Sequence, residues 1–577
     1  MLKNIILSAK FNQKIIYKCK YHKSNLNLAK VLTTDDVDEK CIEIFKQRGH
    51  DVHTIKTLPE AELIKIIGDF EGLVVRSATK VNKNVLAHSH KLKVVGRAGV
   101  GVDNIDVAEA TKRGVIVMNT PGGNTVSTAQ LAVSLICSLA RKIPAADMSI
   151  KQGLWDRKSF MGLEMNGKTL GIIGCGRIGQ VVATCATSMG MKVIGYDPVM
   201  TLDKYEEFGI IKATLDDIWG KSDFITIHTP LTPETSNLIG DVTLAKCKTG
   251  VRIVNCARGG IVDEAALLRA LESGKVGGAA LDVYSSEPPK EHLKPLLAHP
   301  NVICTPHLGA STEEAQINVA RDVAIQMCDL FDQKDFVGVM NVPYLAASSQ
   351  PSIKPFMLLA ERMGAIVAQL STSSITNIVI KTWGGRDVNI TAKMNKQLLQ
   401  AMLLKGLVSH SPSIDKSTRA DMISAPLIAS ASNITYSVII EAPENASASP
   451  YWNLLSVVAT FEDGSVNQIT GSVFGSIPHI VQIDEFKDLF SFQPEGKNIL
   501  TFRNEDRPGA ISEVLNILSL ANINVASVNV ARAPAVNDST QLALCFMALD
   551  DNVPRESLDQ LRGLSSLHKV SVINLNV

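Results

Sequence analysis

Three short segments, each following an apolar run of strand length, supply the side chains that proton transfer on a small anion would need. Asn255-Cys256-Ala257-Arg258-Gly259-Gly260 sets an arginine on a glycine-rich turn after Val251–Val254. Asp282-Val283-Tyr284-Ser285-Ser286-Glu287-Pro288-Pro289 offers two acids after Ala279–Leu281, and Thr305-Pro306-His307-Leu308-Gly309 offers a histidine after Val302–Cys304. Oxidising a 2-hydroxy acid takes a base for the hydroxyl proton, a cation for the carboxylate and the developing charge, and an electron-accepting ring. Singly, an arginine is more often half of a surface ion pair, a glutamate a solvated charge, and a histidine a packed or exposed ring. Their joint occurrence behind a nucleotide motif favours the chemical reading.

That motif is Gly174-Cys175-Gly176-Arg177-Ile178-Gly179, between the buried strand Thr169–Ile173 and the helical Gln180–Met189. Glycines there permit a tight turn and let the backbone approach a pyrophosphate, which sits on the helix N-terminus. A second strand, Lys192–Tyr196, ends at Asp197, close to the spacing of ~20 residues expected for the acid on the adenosine ribose. A carboxylate there accepts from the ribose hydroxyls and repels a 2′-phosphate, so NAD is favoured over NADP. The three segments lie at the carboxyl ends of strands, where parallel sheets hold their ligands.

The elements that must position these groups read as strands alternating with helices, a parallel sheet covered on both faces. Order starts near Lys30, with Val31–Thr33, a helix over Asp36–Arg48, and buried strands at Gly72–Val75 and Leu92–Val95. Ala129–Leu139 is helical by length, and Glu313–Asp332 is another helix. Ser, Pro and Ala cluster over Ala346–Pro355, the main linker. Beyond it are a helix at Met357–Leu370, a strand at Asn377–Thr382, a helix at Lys396–Val408, and strand-like Ile434–Ile440 and Gly471–Ile483. Lys497–Val577 reads β-α-β-β-α-β, a ferredoxin-like unit.

The 58 basic and 57 acidic residues nearly cancel, so no global field argues for nucleic acid or an anionic membrane, and a charged ligand must be met by local residues. No run of about 18 apolar residues argues for a spanning helix. The ten cysteines show no regular spacing, which reads as reduced thiols in a cytoplasmic protein and offers no metal site. The lysine-bearing first 28 residues lack Asp and Glu, and read as a disordered basic tail or, alternatively, an organelle-targeting peptide.

With these segments in view, the sequence resembles the D-isomer-specific 2-hydroxyacid dehydrogenase family, and within it the long-form D-3-phosphoglycerate dehydrogenases. The matching motifs are Gly174–Gly179, Asn255–Val262, Leu281–Pro289 and Pro306–Ser311, and the similarity runs over about 31–577. The resemblance implies His307 as general base, Glu287 polarising its ring, and Arg258 binding the substrate carboxylate and C2 oxygen through a fork that lysine lacks. It implies Asp282 at the nicotinamide carboxamide, with Thr229, Cys256 and Ala257 lining the cofactor beside Gly174, Gly176, Arg177, Ile178, Gly179 and Asp197. Arg76, Arg97 and Lys80 would reach the phosphate or carboxylate of 3-phosphoglycerate, and Asn124 would orient it. Val100 stands where some relatives have a cofactor-contacting threonine, Gln130 replaces a common Glu, and Cys175 invites the hypothesis that its oxidation blocks NAD.

Asn504–Ala510 and Ala521–Val525 resemble the ACT regulatory domain, with Asp506 and Asn524 matching its effector positions and L-serine the candidate effector; Gly471–Phe486 resembles the intervening domain of the same long-form enzymes. The expected fold is α/β, a Rossmann-type doubly wound nucleotide domain (121–309) inserted in a flavodoxin-like substrate domain (30–120 and 310–341). Two α+β domains follow (356–490 and 491–577), the last ferredoxin-like. The expected assembly is a homo-oligomer, dimer or tetramer. Two rivals stand beside this reading. A glyoxylate/hydroxypyruvate reductase would share the triad without needing Arg76, Arg97 and the C-terminal domains. An NADH-sensing binding module would share the fold but lack the C-terminal pair.

Overall fold

A computed structural model describes residues 28–370, 373–384, 389–414, 420–441, 451–486, 491–494, 498–534 and 541–575. Residues 1–27, the bulk of the expected basic tail, lie outside them. The first sheet is all parallel, with β1 (Lys30–Thr33), β2 (Asp51–Thr54), β3 (Gly72–Val75), β4 (Val94–Arg97) and β5 (Ile116–Asn119) in the order β2-β1-β3-β4-β5. This is the flavodoxin-like winding. β3 reads Gly-Leu-Val-Val and is buried at every position, as expected of a strand covered on both faces.

The second sheet has seven parallel strands: β6 (Thr169–Ile173), β7 (Lys192–Tyr196), β8 (Ile211–Lys212), β9 (Phe224–Ile227), β10 (Val251–Asn255), β11 (Val276–Leu281) and β12 (Val302–Cys304). Their order is β12-β11-β10-β9-β6-β7-β8. The winding reverses between β6 and β9, which opens a crevice at their carboxyl ends. The helix Thr125–Arg141 packs Ala129, Ala132, Leu135 and Ile136 on this sheet. Thr312 caps the helix Glu313–Phe331 by accepting from the Ala315 amide, and that helix carries the chain back onto the first sheet. There Met327 and Val323 seat so tightly that a Cβ on Gly96 would stand 2.4 and 2.7 Å from them.

The stretch expected as a linker differs from expectation: it is packed, with a short helix Leu345–Ser348, a 3-10 turn Pro351–Ile353, and Leu345, Ala347 and Ile353 buried. Small and proline residues suit close packing as well as flexibility, so composition alone misreads the segment. A third sheet follows with β13 (Ile375–Gly384), β14 (Thr435–Ile440), β15 (Asn453–Phe461), β16 (Val466–Phe474) and β17 (Ile477–Ile483), in the order β14-β13-β15-β16-β17. The single run expected at Gly471–Ile483 is thus a hairpin turning at Gly475. The last sheet has β18 (Asn498–Glu505), β19 (Val525–Arg532), β20 (Leu542–Leu549) and β21 (Leu567–Asn574), in the antiparallel order β19-β20-β18-β21, with helices Ala510–Leu520 and Arg555–Gly563.

Among the described residues no single helix is long and apolar enough to cross a membrane, and every cysteine is a free thiol.

Candidate active site

The turn after β6 is built by two crowded glycines and one open one. Gly174 has φ +92°, and a Cβ there would meet the His228 carbonyl oxygen at 2.5 Å. Gly179 lets the helix Arg177–Ser188 close on the Gly174 carbonyl, which a Cβ would meet at 2.3 Å. Nothing stands within 4 Å of a Cβ on Gly176, and no side chain caps the helix that starts there. Uncapped helix amides facing open space form an anion site. Arg177 is exposed, with Nη1 donating to the Pro121 carbonyl at 3.2 Å, and Ile178 is half-buried beside it.

Asp197 ends β7 and accepts from the Cys175 amide at 3.0 Å and from the Val199 and Met200 amides at 2.9 and 3.1 Å. A carboxylate has about four acceptor positions, so capacity for a ribose hydroxyl is left. Across the turn, Thr229 Oγ1 and His228 Nδ1 are buried without a hydrogen-bond partner. Orphaned polar atoms beside an open glycine turn are what a dinucleotide would satisfy. Cys256 and Ala257 are buried at the end of β10. The Cys175 thiol is fully buried and pushed up to about 12 by burial, so it holds its proton and is poorly placed for the oxidation its position suggested.

Asp282 follows β11, beside the loop that carries His307. It is fully buried, and its carboxylate accepts from Thr305 Oγ1 at 2.6 Å and from the Leu308 and Gly309 amides at 2.7 and 2.9 Å. These bonds brace the loop that carries His307. Burial raises its carboxyl above the ordinary range, against those hydrogen bonds. His307 itself has φ +56°. Its Nδ1 lies 2.7 Å from Glu287 Oε2, while Glu287 Oε1 accepts from the Tyr284 amide at 3.2 Å. Tyr284 donates its hydroxyl to the Leu281 and Thr305 carbonyls, tying the loops after β11 and β12 together. With Nδ1 facing the carboxylate, Nε2 is the nitrogen left to take a proton.

The cleft in front of His307 encloses about 740 Å³ and is lined by Arg76, Lys80, Arg97, Asn124, Arg258 and Glu287. Residues far apart in sequence therefore meet in one basic pocket. Arg97 is largely buried; desolvation lowers its pKa, and the Arg258 and Arg76 charges add to this while Asp103 opposes it. Its Nε, like Asn124 Oδ1, is buried without a partner. Sequence reasoning missed the supports of this wall. Asp35, buried at the end of β1, accepts from the Arg76 and Thr79 amides, both at 2.9 Å, and from the Thr79 and Thr57 hydroxyls. Asn104 donates to the Arg76 and Thr79 carbonyls at 2.7 and 2.6 Å. The legible signal was an Asp-Asp pair at a strand end, where a carboxylate commonly ties a neighbouring loop.

Three family models match in series. The D-isomer specific 2-hydroxyacid dehydrogenase NAD binding domain covers 133–309, the D-3-phosphoglycerate dehydrogenase intervening domain 352–484, and the ACT domain 498–565. A D-3-phosphoglycerate dehydrogenase of Methanocaldococcus jannaschii is 40% identical over 95% of this chain and 100% of its own length. The chain belongs to the D-3-phosphoglycerate dehydrogenase family. A Homo sapiens D-3-phosphoglycerate dehydrogenase is 41% identical over 87% of this chain and 92% of its own. Among solved structures, a glyoxylate reductase from Paecilomyes thermophila superposes with a TM-score of 0.51 at 29% identity, covering 54% of this chain and 98% of its own. As a member of the D-3-phosphoglycerate dehydrogenase family, the chain is an NAD-dependent oxidoreductase, and its NAD-binding domain holds the glycine turn.

In the ACT domain of this D-3-phosphoglycerate dehydrogenase family member, the two candidate effector residues do not meet. β18 ends opposite Leu542 and β19 begins opposite Leu549, so Asp506 and Asn524 stand at opposite ends of the sheet, about 25 Å apart by strand rise. Asp506 pairs with Arg532 at 2.6 Å, and Asn524 donates to Asp550 at 2.6 Å.

Proposed function

We propose that this chain oxidises 3-phospho-D-glycerate to 3-phosphohydroxypyruvate with NAD, the first step of serine biosynthesis, using Arg258, Glu287 and His307. The observation that carries the assignment is the 2.7 Å His307–Glu287 pair facing a cleft lined by Arg76, Arg97 and Arg258. NAD, when bound, supplies the ring that accepts the hydride leaving C2. His307 Nε2 takes the hydroxyl proton as the C2–O bond becomes a carbonyl, and Glu287 stabilises the imidazolium. Arg258 neutralises the carboxylate and the charge on the C2 oxygen. Arg97, Arg76 and Lys80 hold the phosphate, and Asn124, at the uncapped start of Thr125–Arg141, turns its free carbonyl toward the substrate hydroxyls.

The proposal extends to a cytoplasmic homo-oligomer with L-serine as effector. Exposed Ile143, Met148, Ile150, Leu154 and Trp155 form an apolar patch beside the second sheet that a second copy would cover. With Asp506 and Asn524 at opposite sheet ends, a serine site using both draws them from two copies of the ACT domain. NADH formation from 3-phosphoglycerate, with NADP, D-lactate and D-glycerate as comparisons, tests the reaction. Selective turnover of 3-phosphoglycerate with NAD, lost in His307→Ala, is expected; turnover of an unphosphorylated acid alone would sink the substrate assignment.

A further inference from the structure

Arg258, on the turn after β10, already holds a carboxylate from across the cleft. Its Nε lies 3.2 Å from Asp103 Oδ2, and Arg97 Nη1 stands 3.8 Å from the same oxygen. Asp103 follows β4 on the opposite wall, so the pair bridges the two sheets' sides of the pocket. Gly101 makes room for it: a Cβ there would stand 2.0 Å from Arg258 Nη2 and 2.6 Å from Asp103 Oδ2. Asp103 is 69% exposed, so its carboxylate can swing into water, leaving the largely buried Arg97 and the half-buried Arg258 for an incoming anion to neutralise.

We propose that Asp103 is an internal competitor whose carboxylate occupies, on Arg258 and Arg97, the position of a substrate anion and is displaced when substrate binds. This rests on the reading of those arginines as substrate ligands. Exchanging one carboxylate for another leaves the Coulomb energy nearly unchanged. A 2-hydroxy acid with only a carboxylate therefore gains little from Arg258. An acid with a second, phosphate-like group gains the remaining donors of Arg97 and Arg76 as well, which makes the exchange favourable. Displacing Asp103 costs every acid the same, so Asp103 lowers the apparent affinity of all of them and keeps the arginines paired until an anion arrives.

The test measures kcat/KM of full-length Asp103→Asn and Asp103→Ala for 3-phosphoglycerate and D-glycerate at saturating NAD, with inhibition by inorganic phosphate. D-glycerate should gain about fivefold, the worth of an exposed ion pair. 3-Phosphoglycerate should gain by the same factor, because both acids displace the same carboxylate, and phosphate should inhibit at lower concentration. Equal losses for both substrates in both variants would mean that Asp103 merely orients Arg258 and would overturn the proposal, as would unchanged phosphate inhibition. Arg97→Ala, measured alongside, separates the two levels. A raised KM for 3-phosphoglycerate there keeps the cleft assignment whatever Asp103 does, whereas an unmoved KM overturns both.

Discussion

At His307 the two ring nitrogens divide their tasks. Nδ1 is held by Glu287 at 2.7 Å, and Nε2 is left for the substrate hydroxyl. Glu287→Gln keeps the shape but removes the charge that stabilises the imidazolium, so kcat should fall by about 10²–10³ with little change in NAD affinity, measured by initial rates and NADH titration. Arg258→Lys should cost about 1.5–3 kcal/mol in kcat/KM, because one ammonium cannot make a charged two-point contact. A kinetic constant within twofold of the parent would remove Arg258 from the mechanism. The residue types and local spacing of these three were readable directly, because each stands in a short motif after a strand. Asp282 was readable as an acid near the site, but its hold on the histidine loop was not. Only the fold reveals that its oxygens are spent on Thr305, Leu308 and Gly309.

Among the elements, the turn after β6 separates folding from binding. Gly174→Ala should destabilise the protein, since φ +92° and the His228 carbonyl both oppose a side chain. Gly176→Ala should fold normally, with no neighbour within 4 Å, and raise the KM for NAD by about tenfold through lost backbone approach; a normal NAD KM would refute the role of that open space. On the first sheet, Asp35→Asn should leave the NAD KM alone and raise that for 3-phosphoglycerate about tenfold, because the amide group replaces either Oδ2, shared by the Arg76 and Thr79 amides, or Oδ1, shared by the Thr57 and Thr79 hydroxyls, and the Arg76 loop loosens. The loop after β9 carries a pH signature. Burial pushes His228 down to about 4 from an ordinary 6.5. The unfolded chain therefore takes the proton first, and the stability present above pH 6.5 drains away as pH falls toward 4. Thermal melts should show a smaller drop between these pH values for His228→Asn than for the parent. Strand and helix identity in the first two sheets followed from unbroken apolar runs. In the third sheet the amphipathic strands are weaker in pattern, so β15 went unread, and the hairpin β16–β17 was read as one run although Gly475-Ser476 is a turn signal.

Across the whole molecule, the last two units are joined more intimately than a boundary near residue 490 implies. Ala531, Leu544, Phe546 and Ile573 of the last sheet share one apolar cluster with Ile378 and Val457 of the third and with Leu359 of the helix Lys354–Gln369. The rings of Phe492 and Phe546 lie 5.2 Å apart, and Arg503 pairs with Asp484 at 2.6 Å. Phe492→Ala should cost about 3 kcal/mol and lower the melting of both units together, which limited proteolysis read on each unit would check. Tyr344 donates to the Met422 carbonyl at 2.8 Å, linking the third unit in turn to the first. By itself the sequence determined the chemistry on offer, the cofactor turn, the parallel winding and the ferredoxin-like ending, because all of these are written in local periodicity and in motifs a few residues long. Only the tertiary structure decided that Asp35 and Asn104 hold the Arg76 loop, that Asp103 reaches Arg258 across the cleft, that Asp282 is buried, and that Asp506 and Asn524 stand apart. Those relations join residues from separate strands, and their geometry depends on sheet order and packing, which no local spacing encodes.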